Sequence, residues 1–432
     1  MKLCHVYKKP YKIFIISFIG ILFLLPIAFS GAQTTQELND KINQKNVDIS
    51  KLEQEIAQYQ SEIDDLGKQK DSLNKTITQL DLSRKKLTAN ISVTQNNIDK
   101  TNLKIQELNL NINDKEDIIS NNIDAISSGI RIINEFEQSD TLVVILSEND
   151  FTTIWNEIES ISDINDKIIK ITTELKKVKS NLENTRTETT KAKEELINLK
   201  STLADQKKII DQNTAEKKKL LTQTKNSESS YQKLLKDRLA KKDAFEKELL
   251  DYESQLKYIL NPSLLPNAGA LSWPLDYIYV TQFFGKTEAG KRLYTNGTHN
   301  GVDFRASVGT PVKAMADGTV LGTGDTDLTC PSASFGKFVF IKYNNGLSST
   351  YGHLSLIKTY KGQSVKRGEV VGYSGNTGYS TGPHLHVSVY ASDAVKMESR
   401  PSQACVGHTY TMPIAPINGY LDPIYYLPPY KK

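Results

Sequence analysis

The spacing of apolar residues in the first half of the chain predicts long helices. From Leu38 to Ile126, apolar residues recur in alternating steps of four and three, and polar residues such as Lys45 and Lys70 occupy some repeat positions without shifting the register. A repeat averaging about 3.5 residues over many heptads is typical of a coiled coil. No proline interrupts this segment. We therefore expect one helical arm, which at 1.5 Å per residue would be roughly 130 Å long.

The repeat is interrupted between Glu135 and Asp150 and resumes from Ile154 to Tyr252. The two arms have similar lengths, so an antiparallel hairpin is the simplest arrangement, because each arm then buries the apolar stripe of the other. A parallel homodimer would also satisfy the pattern. The interruption contains the apolar run Leu142–Leu146, which we interpret either as packing at the hairpin tip or as a docking patch for a partner.

The pattern changes after the second arm. Pro262, Pro266 and Gly269 mark a linker, and we expect the helix to end near Leu260. Beyond it, turn pairs such as Asn345-Gly346 separate short β-type runs, which predicts antiparallel strands joined by tight turns. The predicted fold class is therefore multidomain, with a long α-helical coiled-coil hairpin followed by an antiparallel all-β domain. The predicted segments are a signal peptide at 1–32, the coiled coil at 33–260, the linker at 261–270 and the β-domain at 271–428.

The N-terminus has the order of a secretory signal. Lysines precede an apolar run from Ile13 to Phe29, and small residues up to Ala32 follow it. We predict export with cleavage after Ala32, the alternative being retention as a membrane anchor. Cys330 and Cys405 both lie in the β-domain, and an exported compartment permits disulfides, so we predict that they pair rather than remain two buried thiols.

The net charge of +4 over 432 residues is small and spread along helices, which gives no basis for nucleic-acid binding. The candidate catalytic and metal-binding residues are instead the histidines, since five of the six fall in the β-domain. On an extended strand, residues an even number apart share a face. This pairs His299 with Asp303, and it pairs His384 with His386. His353 follows a glycine in a third short motif.

Imidazole nitrogens and one carboxylate are ligands that suit zinc, and catalytic zinc sites keep three protein ligands and one open position. Each motif alone also occurs in proteins where its residues lie on the surface and bind no metal. Their combination in one exported domain predicts a single catalytic zinc site. His408 lies in no motif, and we interpret it as a surface residue.

The stretch from Trp273 to Tyr390 resembles the lysostaphin/LytM-type zinc endopeptidases of bacterial cell walls. The resemblance is carried by a series of short motifs in order along the chain, namely Gln282-Phe283-Phe284-Gly285, His299-Asn300-Gly301-Val302-Asp303, Gly309-Thr310-Pro311-Val312, Tyr351-Gly352-His353-Leu354 and Gly382-Pro383-His384-Leu385-His386.

This resemblance implies a barrel-sandwich-like antiparallel core with a metal in a groove and peptidoglycan as the substrate. It implies zinc ligands His299, Asp303 and His386, with His353 and His384 as catalytic histidines. Tyr294 is a weaker candidate for stabilising an oxyanion, and its alternative interpretation is a surface loop tyrosine.

The helical half resembles, more loosely, the coiled coils of EnvC- and PcsB-like division hydrolases and activators. This resemblance implies a membrane division complex as a partner through Leu142–Leu146. It also leaves the hypothesis of a non-catalytic scaffold that activates another wall hydrolase. The coiled coil and the apolar run Leu142–Leu146 by themselves raise a further hypothesis, autoinhibition by a hairpin that covers the groove until a membrane partner binds its tip. Two segments are additions to the family pattern, 325–335 with Cys330 and 391–416 with Cys405. We expect the disulfide to join them beside the groove.

Overall fold

The computed structural model describes residues 35–67, 72–138, 151–286 and 298–430. The predicted signal at 1–32, the apolar run Leu142–Leu146 and Tyr294 lie outside the described residues. Within the described ranges, no helix has the length and apolar composition needed to cross a membrane.

In the part of the chain that the structure describes, four long helices precede the β-domain, which confirms the predicted fold class. They are α1 (Thr35–Gly67), α2 (Leu73–Gln138), α3 (Phe151–Thr224) and α4 (Glu228–Gln255). The α2–α3 pair is antiparallel, since Lys115 contacts Thr185 and Asp81 contacts Lys217. The hairpin arrangement is therefore formed within one chain.

The first arm is not the single helix expected from its repeat, and that prediction was wrong. Helix α1 ends at Gly67 and folds back along α2, with Lys45 hydrogen-bonded to Asp99. Ser72 explains the restart, because its hydroxyl accepts a hydrogen bond from the Lys75 backbone N–H, as a helix N-cap does. The heptad spacing continues through this break because packing between antiparallel helices uses it as well. In the proximal part of the arm, α2 therefore packs against both α1 and α3.

A second break separates α3 from α4. Lys225 and Asn226 have φ values of 49° and 54°, in the left-handed region that interrupts a right-handed helix. Past this break, α4 lies against the β-domain, where the ring of Phe245 is fully buried against Tyr410. Helix α4 ends at Gln255, a few residues before the expected Leu260. There the chain is already held to the β-domain, since Asn418 donates to the Tyr258 carbonyl.

The β-domain is built on one large antiparallel sheet. The described strands of the domain are β1 Val280–Gln282, β2 Gly285–Lys286, β3 Thr298–His299, β4 Val302–Arg305, β5 Pro311–Lys313, β6 Gly318–Asp325, β7 Lys337–Tyr343, β8 Leu347–Ile357, β9 Ser364–Val365, β10 Val370–Ser374, β11 His384–Ala391, β12 Lys396–Pro401, β13 Thr409–Ile414 and β14 Tyr420–Leu421. The strands of the large sheet run in the order β1-β4-β11-β8-β7-β6-β9, with β10 joining β8 to β5 and β14 beside β11. Two small sheets, β2–β3 and β12–β13, are not hydrogen-bonded to it. A four-residue helix, α5 (Pro423–Tyr426), follows the last strand.

The two largest apolar clusters of the described residues support this sheet. One contains the alternating residues Leu385, Val387 and Val389 of β11, which turns the intervening residues of that strand to the other face. The second core lies under the β12–β13 hairpin and includes Phe245 of α4. The Cys330–Cys405 disulfide belongs to this second core and confirms the predicted pairing.

Candidate metal centre

Strand β11 lies between β4 and β8, and this register assembles the site. His386 is paired with Asp303 on β4 and with Gly352 on β8. His353 follows Gly352, and His384 precedes His386 on the same face. His299 comes from the short strand β3, just before β4 begins. Antiparallel pairing of strands distant in sequence therefore brings all the predicted site residues together.

Three of these side chains form a group compatible with a metal ion: His299, Asp303 and His386. Asp303 Oδ1 lies 2.9 Å from His386 Nδ1 and 3.3 Å from His299 Nε2, and these two nitrogens are 3.1 Å apart. Donors bound tetrahedrally at zinc distances of about 2.0–2.1 Å would stand about 3.4 Å apart. The three side chains thus fit a single zinc ion with little movement.

The second nitrogen of each metal-facing imidazole is held by a protein oxygen. His299 Nδ1 donates to the Phe283 carbonyl at 3.1 Å, and His386 Nε2 donates to the Ser388 hydroxyl at 2.9 Å. Such partners select the tautomer and orient the ring toward the metal. His299 therefore presents Nε2 and His386 presents Nδ1. Ser388 was not foreseen, although it continues the alternation on β11.

The remaining two histidines lie beside this group. The rings of His353 and His384 have centroids 4.6 Å apart, and His384 Nε2 is 3.6 Å from Asp303 Oδ1. In both, Nδ1 donates 2.8 Å to a backbone carbonyl, that of Thr377 for His353 and that of Gly382 for His384. Each ring therefore keeps Nε2 as the nitrogen able to accept a proton.

Burial and neighbouring charges together set the charge state of the centre. Burial lowers the pKa of the His386 imidazole, although the negative charge of Asp303 opposes this. Burial also holds the pKa of His353 well below its ordinary value, with a further contribution from His384 and His386. Burial alone would raise the pKa of the Asp303 carboxyl, but the neighbouring His384 and His299 hold it well below its usual range. At neutral pH, His353 and His386 are neutral and Asp303 is a carboxylate.

Gly301 lies between β3 and β4, where the backbone comes close to His386. A Cβ at this position would stand 2.6 Å from the His386 ring and 2.5 Å from the Val387 carbonyl oxygen. These separations are too short for real contacts, so only glycine lets the backbone approach His386 closely here.

The backbone at His353 is strained. Its φ is +59°, in the left-handed region that non-glycine residues seldom adopt. Two contacts hold it there: the His353 N–H donates 2.7 Å to the Phe335 carbonyl, and its ring bonds to Thr377. Backbone strain maintained by surrounding contacts is common at functional sites. Phe335 belongs to the first added segment, and its ring also lies against His386. This role of the added segment was not foreseen from the sequence. His408 is exposed and stands apart from the site, as expected.

Comparison with known proteins points to one family. Residues 297–398 match Peptidase family M23. The DD-carboxypeptidase/endopeptidase Mpg of Neisseria meningitidis serogroup B is 40% identical over 113 residues, which are 26% of this chain and 24% of that protein. The peptidoglycan DD-endopeptidase ShyA of Vibrio cholerae is 48% identical over 88 residues, which are 20% of this chain and 19% of that protein.

A solved structure is also similar to part of the chain. The catalytic domain of lysostaphin from Staphylococcus simulans is 34% identical and covers 26% of this chain and 80% of that chain, with a TM-score of 0.24. The chain spans at most a quarter of the length of the two relatives above. The family match lies within the β-domain, and the helices that precede it are consistent with a coiled coil. The chain therefore contains a Peptidase M23 domain at residues 297–398, and the His299–Asp303–His386 group lies within it.

Proposed function

We propose that this chain is an exported zinc endopeptidase that hydrolyses peptide bonds in peptidoglycan stem peptides or cross-links, acting in wall remodelling or division. The observation that carries the proposal is the His299–Asp303–His386 group with two further histidines beside it. Support for the substrate class comes from the relatives, because two of them are named as peptidoglycan or DD-peptide hydrolases.

The mechanism assigns a different task to each part of the centre. Zinc held by His299, Asp303 and His386 would polarise the scissile carbonyl and lower the pKa of water from about 16 toward about 7. His353 and His384 then act as the proton-transfer pair, since each presents an Nε2 that accepts a proton. An imidazole that has gained this proton becomes a cation, which stabilises negative charge developing on the carbonyl oxygen.

Positioning is supplied by the backbone. The Thr377 and Gly382 carbonyls keep the two catalytic rings in one tautomer, and the Phe335 carbonyl holds the His353 backbone in its strained conformation. Because these groups are fixed before substrate arrives, little reorganisation remains for the reaction itself.

The alternative function is a non-catalytic scaffold that activates another wall hydrolase. The complete set of ligands and both further histidines favours the enzyme, because a scaffold has no need to keep five buried or half-buried polar side chains converging on one point. Partners in a membrane division complex remain a prediction for residues Leu142–Leu146.

The test combines metal content with products. Purified protein is expected to contain one zinc and to release peptide-cleaved fragments from isolated walls, identified by mass spectrometry as new amino termini. A chelator should abolish release and added zinc should restore it. His386→Ala should lose both zinc and release, whereas His408→Ala should keep both. Wall cleavage by zinc-free His386→Ala protein would falsify the proposal.

A further inference from the structure

His353 is held by two loops that come from different parts of the chain. The first loop, residues 326–336, provides the Phe335 carbonyl that accepts the His353 N–H at 2.7 Å. The second loop, residues 375–380, provides the Thr377 carbonyl that accepts from His353 Nδ1 at 2.8 Å. The backbone and the ring of this histidine therefore depend on how the two loops stand relative to each other.

One carboxylate joins the two loops. Asp327 Oδ1 accepts the Ser332 N–H at 2.6 Å within the first loop, and Asp327 Oδ2 accepts the Gly378 N–H of the second loop at 2.7 Å. Because each oxygen serves a different donor, an amide in place of the carboxylate could accept only one of these bonds. Hydrogen bonds to a charged acceptor are also stronger than neutral ones. Asp327 therefore fixes the second loop against the first.

The peptide group between Thr377 and Gly378 connects Asp327 with the catalytic ring. The oxygen of this group accepts from His353 Nδ1, and its N–H donates to Asp327 Oδ2. Hydrogen bonds in series polarise one another, so the negative charge of Asp327 makes the Thr377 oxygen a stronger acceptor. A stronger acceptor holds the ring proton on Nδ1 more firmly and leaves Nε2 as the nitrogen that takes up a proton.

The backbones of the two loops also approach each other closely. A Cβ on Gly336 would lie 2.3 Å from the Gly378 nitrogen, and a Cβ on Gly378 would lie 2.2 Å from the Gly336 nitrogen. In the first loop, Ser332 and Ser334 have φ values of 63° and 54°, a costly conformation for residues other than glycine. Such strain persists only where surrounding contacts maintain it, and here those contacts also position His353.

The first loop is anchored independently of the second. Thr326 Oγ1 accepts the Gly336 N–H at 2.8 Å, which closes the loop on itself. The Cys330–Cys405 disulfide ties the same loop to the turn between β12 and β13. Asp327 therefore lies on a loop that is fixed by a covalent cross-link and by internal hydrogen bonds.

We propose that Asp327 is a positioning residue for His353, acting through the Thr377–Gly378 peptide group to hold the ring in place and to keep its proton on Nδ1. In this role Asp327 stays a carboxylate, and proton transfer takes place at His353 Nε2. The inference rests on the proposed function, because it concerns turnover at the same site. It gives the first added segment, 325–335, a part in catalysis.

The test compares two aspartate-to-asparagine variants of the full chain loaded with zinc. Asp327→Asn keeps the size of the side chain but loses its charge and one of the two bonds. Asp317→Asn is the matched control, since Asp317 likewise accepts a backbone N–H, that of Arg367 at 2.8 Å, elsewhere in the β-domain. Cleavage of a soluble cross-linked wall fragment gives kcat and KM separately, and zinc content is measured beside them. All assays are run well below the lowest melting temperature of the variants, so that every protein is folded.

A second measurement reads the His353 ring directly. Proton–nitrogen NMR of protein labelled at histidine reports which ring nitrogen carries the proton, and the His353 signals are assigned by their absence from His353→Ala. A residue with only a structural role would change the melting temperature without changing the tautomer of this ring.

We expect Asp327→Asn to lower kcat about tenfold, since a hydrogen bond to a charged group is lost. KM and zinc content should stay unchanged, and part of the His353 population should shift its proton to Nε2. Asp317→Asn should leave kcat and the tautomer as they are in the unaltered chain.

An unchanged kcat beside active unaltered chain, or an unchanged His353 tautomer in Asp327→Asn, would overturn the proposal. A fall in zinc content would overturn it as well, because Asp327 would then support the whole centre rather than His353. A shifted tautomer with no cleavage by any protein, including the unaltered chain, would support the positioning of His353 and contradict the proposed function instead.

Discussion

The metal centre and the helical region encode their structures in different ways. At the centre, each contact depends on one residue type at one position, as where Gly301 admits the His386 ring or the Ser388 hydroxyl orients it. In the helices, a repeated class of residue is enough, and polar Lys115 occupies a repeat position while bonding to Thr185. Substitutions at the centre should therefore lower activity or stability strongly, whereas substitutions in the helices should lower stability only slightly.

The largest effect is expected at His353. His353→Ala should lower wall cleavage by about 10²- to 10⁴-fold, the usual contribution of a general acid or base. Zinc content should stay at one per chain, because His353 is outside the metal-compatible group. Metal analysis beside the rate measurement checks this, with His408→Ala as the control. Loss of zinc together with activity would instead make His353 part of the metal site.

The same change, glycine to alanine, can be made at one position in each region, and this compares the two regions directly. Gly301→Ala sets a Cβ 2.5 Å from the Val387 carbonyl oxygen, a backbone atom that cannot move aside, so stability should fall by about 1–3 kcal/mol. In Gly129→Ala on α2, the nearest atom is the flexible Ile168 Cδ1 at 2.8 Å. The helix-propensity gain of about 1 kcal/mol should offset that contact. Calorimetry of each variant and zinc analysis measure the difference, and equal losses would contradict the contrast.

A smaller, pH-dependent effect is expected where the two regions meet. Burial raises the pKa of the Glu253 carboxyl to about 7, although its hydrogen bond from Tyr420 opposes this. A carboxyl whose pKa is higher when α4 is docked favours docking at low pH. Docking should then weaken as pH rises from the ordinary value near 4.5 toward 7. The titratable groups around Glu253 are Tyr420, Tyr390, Glu246, Tyr379, His353 and His386.

Glu253→Gln stays neutral at every pH, so α4 stays docked against the β-domain. The hydrogen-exchange rate of the α4 backbone amides in the unaltered chain, divided by that in Glu253→Gln, should rise severalfold between pH 5 and about 7.5. Taking the ratio removes the pH dependence of the exchange chemistry itself. Asp251→Asn, on the exposed side of α4, should give a flat ratio. A flat ratio for Glu253→Gln as well would show that this carboxyl does not control the docking of α4.

Local patterns in the sequence were enough to predict the helices, the strands and the candidate chemistry. Heptad spacing predicted long helices, period-two alternation in β11 put His384 and His386 on one face, and the common domain of Cys330 and Cys405 predicted their disulfide. These succeed because side-chain periodicity follows from local backbone geometry, which a short stretch of sequence expresses.

How these elements meet could be read only from the packed structure. The repeat carried no signal that α1 folds back near Ser72, because two antiparallel helices bury the same spacing wherever the chain turns. The sequence also did not show that the Phe335 carbonyl holds His353, or that α4 packs against the β-domain. Such contacts join residues far apart in the chain, and their free energy depends on the shape of the packed surfaces rather than on local periodicity.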